Sequence, residues 1–471
     1  MKKLKSELEK LKRELQSLDE AEKDKIEIPS DPMEFCEKIL KFKPTYYQQT
    51  FLRETSKRVL LCWSRQSGKT TTIAAKAIHL ALTNPKTTTL IVAPSLRQSM
   101  ILSDRIQDFL ACLSYKERKT LIAKQQRTQI LFTNGSRIIA LPNSENLLRG
   151  YTAHVVITDE ANFFGNDEKI FFDILMPMLG TTNGTLIVSS TPWNKDSVFY
   201  RFYNDSTFRK IIVTWEDAVK ARLVTQEFIN QVKILLPAES FQREYECKFI
   251  EDIDAWLPQS LIVKCIDSML EFYEFQENPS GNFYMGVDFG KHQDYSVAAV
   301  VEKQGNIIKV VHVHRFPLNT EYASVIGYIK SLHDRWRRII AVYCDITGVG
   351  DYIVEDMVKS GIINVTGVTF TINSKEEMAT ILREKMRAGE LKIPYSPAKT
   401  LQDIDLTIEL NIEKYELMKT GHIRFSHPEG THDDVFWALA LAVYASTQFT
   451  PLNVSPAVST GKLVKDYSIP S

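Results

Sequence analysis

The sequence lacks the features of several protein classes. No apolar run approaches the ~20 residues that a membrane-spanning helix needs. The first ten residues, MKKLKSELEK, contain charges but no apolar core of the kind found in a secretory signal. The six cysteines are scattered and form no CxxC pair, so neither a zinc site nor a disulfide framework is indicated. A reducing cytosol is therefore the expected compartment.

The sequence also lacks an excess of charge of either sign. Lys plus Arg number 58 and Asp plus Glu number 58. The composition therefore does not indicate a nucleic-acid binder, and any basic surface must be local. The content of 44% hydrophobic and 25% charged residues is typical of a globular protein. With 471 residues, the chain is long enough for two to three domains.

Five segments of different composition follow one another along the chain. Residues 1–30 form a charge-dense amphipathic helix, which either pairs with a partner or packs on its own domain. Over 31–250, apolar strand-like runs alternate with helical stretches, which predicts a parallel α/β sheet. A linker over 251–280 leads to a second α/β domain at 281–448. The tail, 449–471, is rich in Pro, Ser and Thr and is expected to be mobile.

A phosphate-binding motif follows the first strand, RVLLCW (58–63). The loop SRQSGKTT (64–71) leads into a helix, and helix N-terminal amides with a lysine hold nucleotide phosphates. Trp63 stands where the usual pattern has glycine, so the motif depends on its context. The residues expected to bind ATP in this loop are Arg65, Gln66, Ser67, Gly68, Lys69, Thr70 and Thr71, with Thr70 also holding Mg²⁺.

Two adjacent acids end a buried strand in VVITDEAN (155–162). Such a pair repels itself unless a cation or a reacting phosphate lies between the carboxylates. Asp159 is expected to hold the Mg²⁺ that accompanies ATP, and Glu160 to orient and deprotonate the attacking water. The next strand ends in SSTP (189–192), whose hydroxyls are candidates for sensing the γ-phosphate.

Further candidates for the nucleotide site lie outside these motifs. Tyr47 and Gln48, in PTYYQQTFL, are positioned to sandwich and hydrogen-bond adenine. Arg149 precedes the strand that carries the acids, and it competes with Arg65 as the arginine that stabilises the transition state, in cis or from a neighbouring subunit. A lone arginine more often forms a surface ion pair.

Separated acids in the second half predict a nuclease site. Asp288 ends the strand in GVDFG, Asp345 ends the strand in YCDITG, and Asp433 and Asp434 open a late helix. Carboxylates from two strands and one helix can hold two divalent ions on a phosphodiester, and oxygen ligands suit Mg²⁺ or Mn²⁺. Asp294, expected to begin the second strand, is a further metal ligand. Taken singly, each aspartate is also a common cap or turn residue.

The order of these motifs resembles the large terminase subunit of tailed bacteriophages over roughly residues 40–447. The motifs that carry the resemblance are SRQSGKT, VVITDEAN, SSTP, FQREYECKF, DFG, CDITG and HDD. The fold class expected is α/β, with an N-terminal RecA-like (ASCE) P-loop ATPase domain followed by an RNase H-like nuclease domain. The resemblance implies that Lys69, Thr70, Asp159 and Glu160 hydrolyse ATP, and that Arg149 acts as an arginine finger on a neighbouring subunit. It assigns DNA cleavage to the four acids Asp288, Asp345, Asp433 and Asp434.

The resemblance also implies the partners and the setting of the protein. ATP hydrolysis would drive double-stranded DNA into a procapsid, and a two-metal endonuclease would cut concatemeric DNA at initiation and termination. The implied protein partners are a small terminase subunit and a portal ring, with no membrane. The chain would be a monomer in solution and a pentameric ring on the procapsid. Its place would be the host cytoplasm, and it would be absent from the mature virion.

Two other functions share some of these features. A helicase–nuclease of DNA repair or restriction would share the P-loop and the acid pair. Only one compact set of strands precedes the nuclease fold, however, without a second RecA-like lobe. A structural or regulatory ATP-binding protein, in which the second half is a scaffold, has no need of converging carboxylates.

Overall fold

The computed structural model describes residues 26–448, apart from breaks at 194, 237, 251–253, 291–293, 337, 398–402, 419–420 and 429–430. The helix predicted near the N-terminus lies almost wholly outside the described residues, and the predicted tail lies outside them entirely. In the described part of the chain, one sheet of eight strands is followed by one of seven strands and a separate hairpin. No helix in that part is both long enough and apolar enough to cross a membrane.

The first domain contains eight strands and eleven α-helices within the described residues. Its strands are β1 (Arg58–Trp63), β2 (Thr88–Ala93), β3 (Ile122–Gln125), β4 (Gln129–Phe132), β5 (Arg137–Pro142), β6 (Val155–Thr158), β7 (Thr185–Ser190) and β8 (Arg209–Val213). Its helices are α1 (Pro32–Lys38), α2 (Tyr46–Arg53), α3 (Lys69–Thr83), α4 (Leu96–Ala111), α5 (Tyr115–Leu121), α6 (Glu145–Leu148), α7 (Met176–Gly180), α8 (Val198–Asn204), α9 (Trp215–Lys220), α10 (Gln226–Leu235) and α11 (Ala238–Glu244). A 3₁₀ turn (Ala161–Phe163) and a π-helix (Lys169–Leu175) follow β6.

The sheet of the first domain has the strand order β3-β4-β5-β2-β6-β7-β1-β8. Its central strands pair in parallel, and β3 and β4 are antiparallel additions at one edge. The central strands are buried along nearly their whole length, as is usual for parallel strands covered by helices on both faces. The ends of β1, β6 and β7 therefore meet at one edge, where the predicted motifs follow them.

The second domain is built on a mixed sheet. Its strands are β9 (Ile266–Asp267), β10 (Phe283–Asp288), β11 (Val297–Gln304), β12 (Ile307–Arg315), β13 (Ile339–Asp345), β14 (Val365–Val368) and β15 (Leu391–Pro394), and the separate hairpin is β16 (Lys414–Leu417) and β17 (Ile423–Ser426). Its helices are α12 (Gln259–Lys264), α13 (Tyr322–Arg335), α14 (Tyr352–Lys359), α15 (Ile372–Arg387), α16 (Leu406–Glu409) and α17 (Asp434–Gln448). Strands β10, β11 and β12 are antiparallel neighbours, and β13 runs parallel to β10. This is the strand order expected of an RNase H-like domain.

Helix α17 crosses the centre of this sheet at very short range. Its sequence, DVFWALALAVYASTQ, is apolar all round and almost entirely buried, as expected for a helix inside a core. Gly286 of β10 makes the contact possible, because a Cβ atom there would lie 2.0 Å from the carbonyl oxygen of Ala438. The glycine therefore brings the start of α17 to the ends of β10 and β13.

The two domains share apolar contacts. The ring of Phe163, after β6, lies 4.8 Å from that of Trp193 and 5.0 Å from that of Tyr395, which follows β15 in the second domain. The segment expected to be a linker contains α12 and β9, and β9 pairs in parallel with β15. The second domain therefore reaches the edge of the first sheet where the phosphate-binding loop lies.

Candidate active sites

The first candidate site surrounds the loop between β1 and α3. Residues 64–71 of this loop line a cavity of about 440 Å³. Gly68 precedes α3 with φ +77°, a conformation that glycine adopts without steric cost. The N-terminus of a 15-residue helix thus opens onto the cavity, which is the arrangement that binds phosphate groups.

Lys69 is paired with both acids of the DE motif. Its Nζ lies 2.9 Å from Glu160 Oε1 and 3.9 Å from Asp159 Oδ1. Burial alone would lower the pKa of Lys69, but the charges of Glu160 and Asp159 raise it. Burial raises the pKa of Asp159 to about 6, with Lys69 opposing that rise. The three predicted residues are therefore brought together, with a protonated lysine between two acids.

The strand-end hydroxyls contact the same acids. Ser189 Oγ donates to Asp159 Oδ1 at 3.2 Å, and Ser190 Oγ donates to Glu160 Oε2 at 3.5 Å. Glu160 itself has φ +52°, a left-handed conformation that is strained for a residue with a Cβ. Glu160 lines the cavity together with Thr191. The two serine hydroxyls therefore connect Asp159 and Glu160 to the end of β7.

Arg65 bridges the two domains across the cavity. Its guanidinium makes two contacts with Glu244 of α11, at 2.6 and 3.2 Å. Its Nη2 also lies 3.7 Å from Asp405 Oδ2, which belongs to the second domain. Tyr395 and Pro397 of the second domain line the cavity as well. Sequence spacing gave no signal for any of these partners, because they depend on how the domains pack.

Two predicted nucleotide ligands, Tyr47 and Gln48, contact the loop but are not part of the cavity lining. The hydroxyl of Tyr47 donates to the carbonyl of Ser67 at 2.8 Å, and its ring packs edge-on against Trp63 at 5.1 Å. Gln48 accepts from the Thr45 amide at the start of α2. Both side chains are buried. Through the Ser67 carbonyl, Tyr47 supports the loop that lines the cavity.

Arg149 lies at the surface, at the end of α6. Its side chain is 61% exposed, and its Nη2 lies 3.9 Å from Glu145. It is not part of the cavity lining, whereas Arg105 of α4, which the sequence did not single out, is. Arg149 is therefore accessible to a second molecule, whereas Arg65 and Arg105 line the cavity from within the same chain.

The second candidate site lies at the ends of β10 and β13. Val287 pairs with Cys344, so Asp288 and Asp345 emerge side by side from adjacent parallel strands. Burial raises the pKa of Asp288 well above its usual value, and the charges of Asp434, Asp345 and Asp433 raise it further. The four predicted acids therefore lie within electrostatic reach of one another.

The remaining acids are held from α17 and the loop before β11. The Tyr295 amide donates to Asp434 Oδ2 at 3.1 Å, and Trp437 Nε1 donates to Asp433 Oδ2 at 2.7 Å. Burial raises the pKa of Asp434 to about 7 despite the Tyr295 amide, and Asp433 and Asp294 add to the rise. Asp294 lies in the loop before β11, which begins only at Val297, so the prediction that it starts this strand is wrong. It nevertheless lies close enough to influence Asp434.

Two residues that the motifs did not include flank these acids. Lys375, in the first turn of α15, places its Nζ 4.3 Å from the ring centre of Trp437, and its charge lowers the pKa of Asp288. Burial and the charge of Asp433 together raise the pKa of Glu413 to about 9, against the opposing charge of Lys375. The helix dipole disfavours a lysine in the first turn of a helix. The negative charges of the neighbouring acids offset this effect for Lys375.

The acid cluster has the chemistry of a divalent-cation site. Its donors are carboxylate oxygens, which suit Mg²⁺, and their mutual repulsion is relieved by a cation. Among the described residues, no group of three or more His, Cys, Asp or Glu side chains is already arranged around one metal position. The donor set fits the ion, and the side chains would have to draw together to bind it.

Comparison with known proteins gives matches along most of the chain. Residues 60–264 match the family model "Terminase large subunit, T4likevirus-type, N-terminal", and residues 285–445 match "Terminase RNaseH-like domain". The large terminase subunit of Thermus phage G20c is 24% identical over 459 residues, covering 88% of this chain and 89% of the relative.

Solved structures of the same kind of protein are also similar. The large terminase of bacteriophage HK97 gives a TM-score of 0.41 at 13% identity, covering 88% of this chain and 98% of that chain. The magnesium-bound large terminase nuclease of phage G20c gives a TM-score of 0.33 at 24% identity, covering 41% of this chain and 97% of that one. Both halves of this chain match family models of one kind of protein, in the order that its motifs predict. The chain therefore belongs to the large terminase subunit family, the ATPase and nuclease of phage DNA packaging.

Proposed function

We propose that the first site hydrolyses ATP with residues of the 64–71 loop and the DE pair. Lys69 would leave its ion pair for the β- and γ-phosphates, and Glu160 would then be free to accept the proton of the attacking water. Thr70 and Asp159 would hold the Mg²⁺ that accompanies ATP. The 2.9 Å contact between Lys69 and Glu160 supports this proposal most directly, because the proposed phosphate ligand and the proposed base are then neighbours in the cavity.

Tyr47 and Gln48 are proposed to contact adenine and also to support the loop. The Tyr47 hydroxyl holds the Ser67 carbonyl, and a Cβ at position 68 would lie 2.5 Å from Gln48 Nε2. Together they fix the loop that carries Gln66, Ser67 and Thr71 at the cavity.

We propose that the second site is a two-metal endodeoxyribonuclease. Asp288, Asp345, Asp433 and Asp434 would hold Mg²⁺ or Mn²⁺, with Asp294 beside them. Bound divalent ions would supply Lewis-acid polarisation of the scissile phosphate and activation of water. The chain's own part is to hold Asp434 through the Tyr295 amide and Asp433 through the Trp437 indole. Lys375, next to these acids, would meet the DNA phosphate.

The exposure of Arg149 supports a role between subunits. An arginine 61% exposed and outside its own cavity is available to the nucleotide of a neighbouring chain. We propose that five chains assemble as a ring on the portal of the procapsid, from monomers in the host cytoplasm. On the portal, ATP hydrolysis would move double-stranded DNA into the procapsid. The small terminase subunit would deliver the start of that DNA. The helicase–nuclease alternative is not favoured, since both family models are of terminase domains.

The test is a plasmid-cleavage assay with Mg²⁺ or Mn²⁺, comparing the natural chain with Asp345→Ala. The exposed Asp356→Asn of α14 serves as a control, because Asp356 lies on a surface helix beside Lys359. We expect metal-dependent cleavage by the natural chain and the control, and its loss in Asp345→Ala with ATPase activity retained. Equal cleavage by Asp345→Ala would move the nuclease away from this cluster.

A further inference from the structure

Arg65 is held by carboxylates of both domains at once. The Nε and Nη2 groups of Arg65 both donate hydrogen bonds to Glu244. The Oδ2 atom of Asp405 lies 3.7 Å from Arg65 Nη2, which is too far for a direct hydrogen bond. The charges of Glu244 and Asp405 raise the pKa of Arg65, against the effect of burial. The arginine lines the nucleotide cavity. A phosphate entering the cavity therefore meets a guanidinium with two described carboxylate partners, and the more distant of them, Asp405, comes from the other domain.

Asp405 stands at the start of a short helix that leads to the nuclease acids. It precedes α16 and accepts from the Thr407 amide at 3.0 Å. At the other end of α16, Glu409 accepts from Arg315 Nη1 at 2.9 Å, with both side chains largely buried. The four-residue helix thus connects one ion pair at the nucleotide cavity to another inside the second domain.

Tyr295 connects the Arg315–Glu409 ion pair to the nuclease site. The guanidinium of Arg315 lies 5.0 Å from the ring centre of Tyr295. The amide of Tyr295 is the group that donates to Asp434 at 3.1 Å. A continuous series of polar and cation–π contacts therefore runs from Arg65, through α16, to an acid of the nuclease cluster.

We propose that the γ-phosphate of ATP competes with Asp405 for Arg65, so that nucleotide binding releases α16 and changes how Asp434 is held. The inference rests on the proposed ATPase function of the first site. A phosphate carries more charge than one carboxylate and offers several acceptor oxygens to the planar fork of an arginine. Asp405, as the more distant of the two carboxylates, is the partner it displaces. Asp405 is thus a positioning residue for Arg65, and α16 connects the two active sites.

Asp405→Asn in the full chain tests the competition. Asparagine removes the charge and keeps an acceptor for the Thr407 amide, so the start of α16 is preserved. Asp405→Ser, which keeps a capping hydroxyl, is a second variant of the same kind, and Asp356→Asn is the matched control. Two quantities are measured: the Kd of a slowly hydrolysed ATP analogue, and plasmid cleavage with and without that analogue.

We expect both Asp405 variants to bind the analogue about two- to tenfold more tightly than the natural chain, since a competitor of modest strength has been removed. The control should bind it as the natural chain does. We also expect the analogue to change the cleavage rate of the natural chain at least about twofold, and to change that of the Asp405 variants much less.

Each other outcome removes a defined part of the proposal. Unchanged affinity in both Asp405 variants would overturn the competition for Arg65, and with it the release of α16, while leaving the proposed ATPase function intact. Tighter binding without any effect of the analogue on natural-chain cleavage would overturn the connection through α16. A natural chain that does not bind the analogue would overturn the proposed ATPase function, and the inference with it.

Discussion

Replacing Gly286 by alanine is expected to separate the nuclease acids without disturbing the nucleotide cavity. The added Cβ would lie 2.0 Å from the Ala438 carbonyl oxygen, 2.4 Å from the Ala442 nitrogen and 2.8 Å from the Leu441 Cβ. Real Cβ contacts almost never fall below 3.0 Å, and these are backbone or Cβ atoms that cannot rotate away. Helix α17 must therefore move from β10 by about 1 Å or more, and it carries Asp434 with it.

The cost of this change follows from overpacking a dense core. Inserting a methyl group into a well-packed site costs about 1–3 kcal/mol, and sometimes more. In a domain of this size, each kcal/mol lowers the melting temperature by about 2–4 °C, so a loss of about 2–12 °C is expected. A displacement of about 1 Å at a catalytic group can lower activity about 100-fold. Cleavage should therefore fall much more than stability does.

The assay compares Gly286→Ala with Gly327→Ala by thermal unfolding, plasmid cleavage and ATP hydrolysis. Gly327 lies in α13, and a methyl group added there would meet no atom within 4 Å apart from its chain neighbours and the backbone of its own helix. Alanine should therefore be neutral or stabilise the helix by about 0.5–1 kcal/mol. If Gly286→Ala melts and cuts DNA as the natural chain does, the close packing of α17 on β10 is refuted.

Three further predictions concern the two sites. Glu160→Gln is expected to keep ATP binding and lose at least about 100-fold in turnover, because an amide cannot take a proton from water; hydrolysis at the natural rate would show that the base lies elsewhere. Arg149→Ala is expected to lose about 1,000-fold in the ATPase rate of the assembled ring. A mixture of the Glu160→Gln and Arg149→Ala chains should regain part of that rate if the arginine acts across the subunit interface, and none if it acts within its own chain. Mg²⁺ is expected to raise the melting temperature more at pH 8 than at pH 6. Burial raises the pKa of Asp434 from 3.8 to about 7, so without metal its contribution to stability is present at low pH and is lost as the pH rises through 7. Because the ion binds only the deprotonated acid, equal shifts at both pH values would contradict this account.

The residues that the sequence predicted well lie at the ends of strands. Asp159 and Glu160 follow β6, and Asp288 and Asp345 close β10 and β13. A strand that is buried along its length and then reaches a carboxylate is a local pattern. Parallel neighbours bring such ends to the same edge of a sheet. Alternation and motif order were therefore enough to predict the fold class and the position of these acids at strand ends.

What the sequence did not predict depends on packing between distant segments. The ring of Tyr47, a predicted adenine contact, also packs on Trp63, and the sequence did not indicate that contact. Trp63, in the place of the usual glycine, belongs to that core. Asp405 reaches Arg65 only because the second domain docks on the first. The FQREYECKF motif is helical only as far as Glu244, and Cys247, with φ +56°, has left the helical conformation.

The ion pair of Lys69 also affects how readily free inorganic phosphate binds to the empty cavity. With its ammonium between Glu160 and Asp159, the cavity already satisfies its own lysine and presents two carboxylates beside it. Free inorganic phosphate would have to displace those acids without the purine, ribose and accompanying Mg²⁺ that help ATP to do so. The ion pair of Lys69 is therefore expected to keep free inorganic phosphate out of an empty cavity until the next nucleotide arrives.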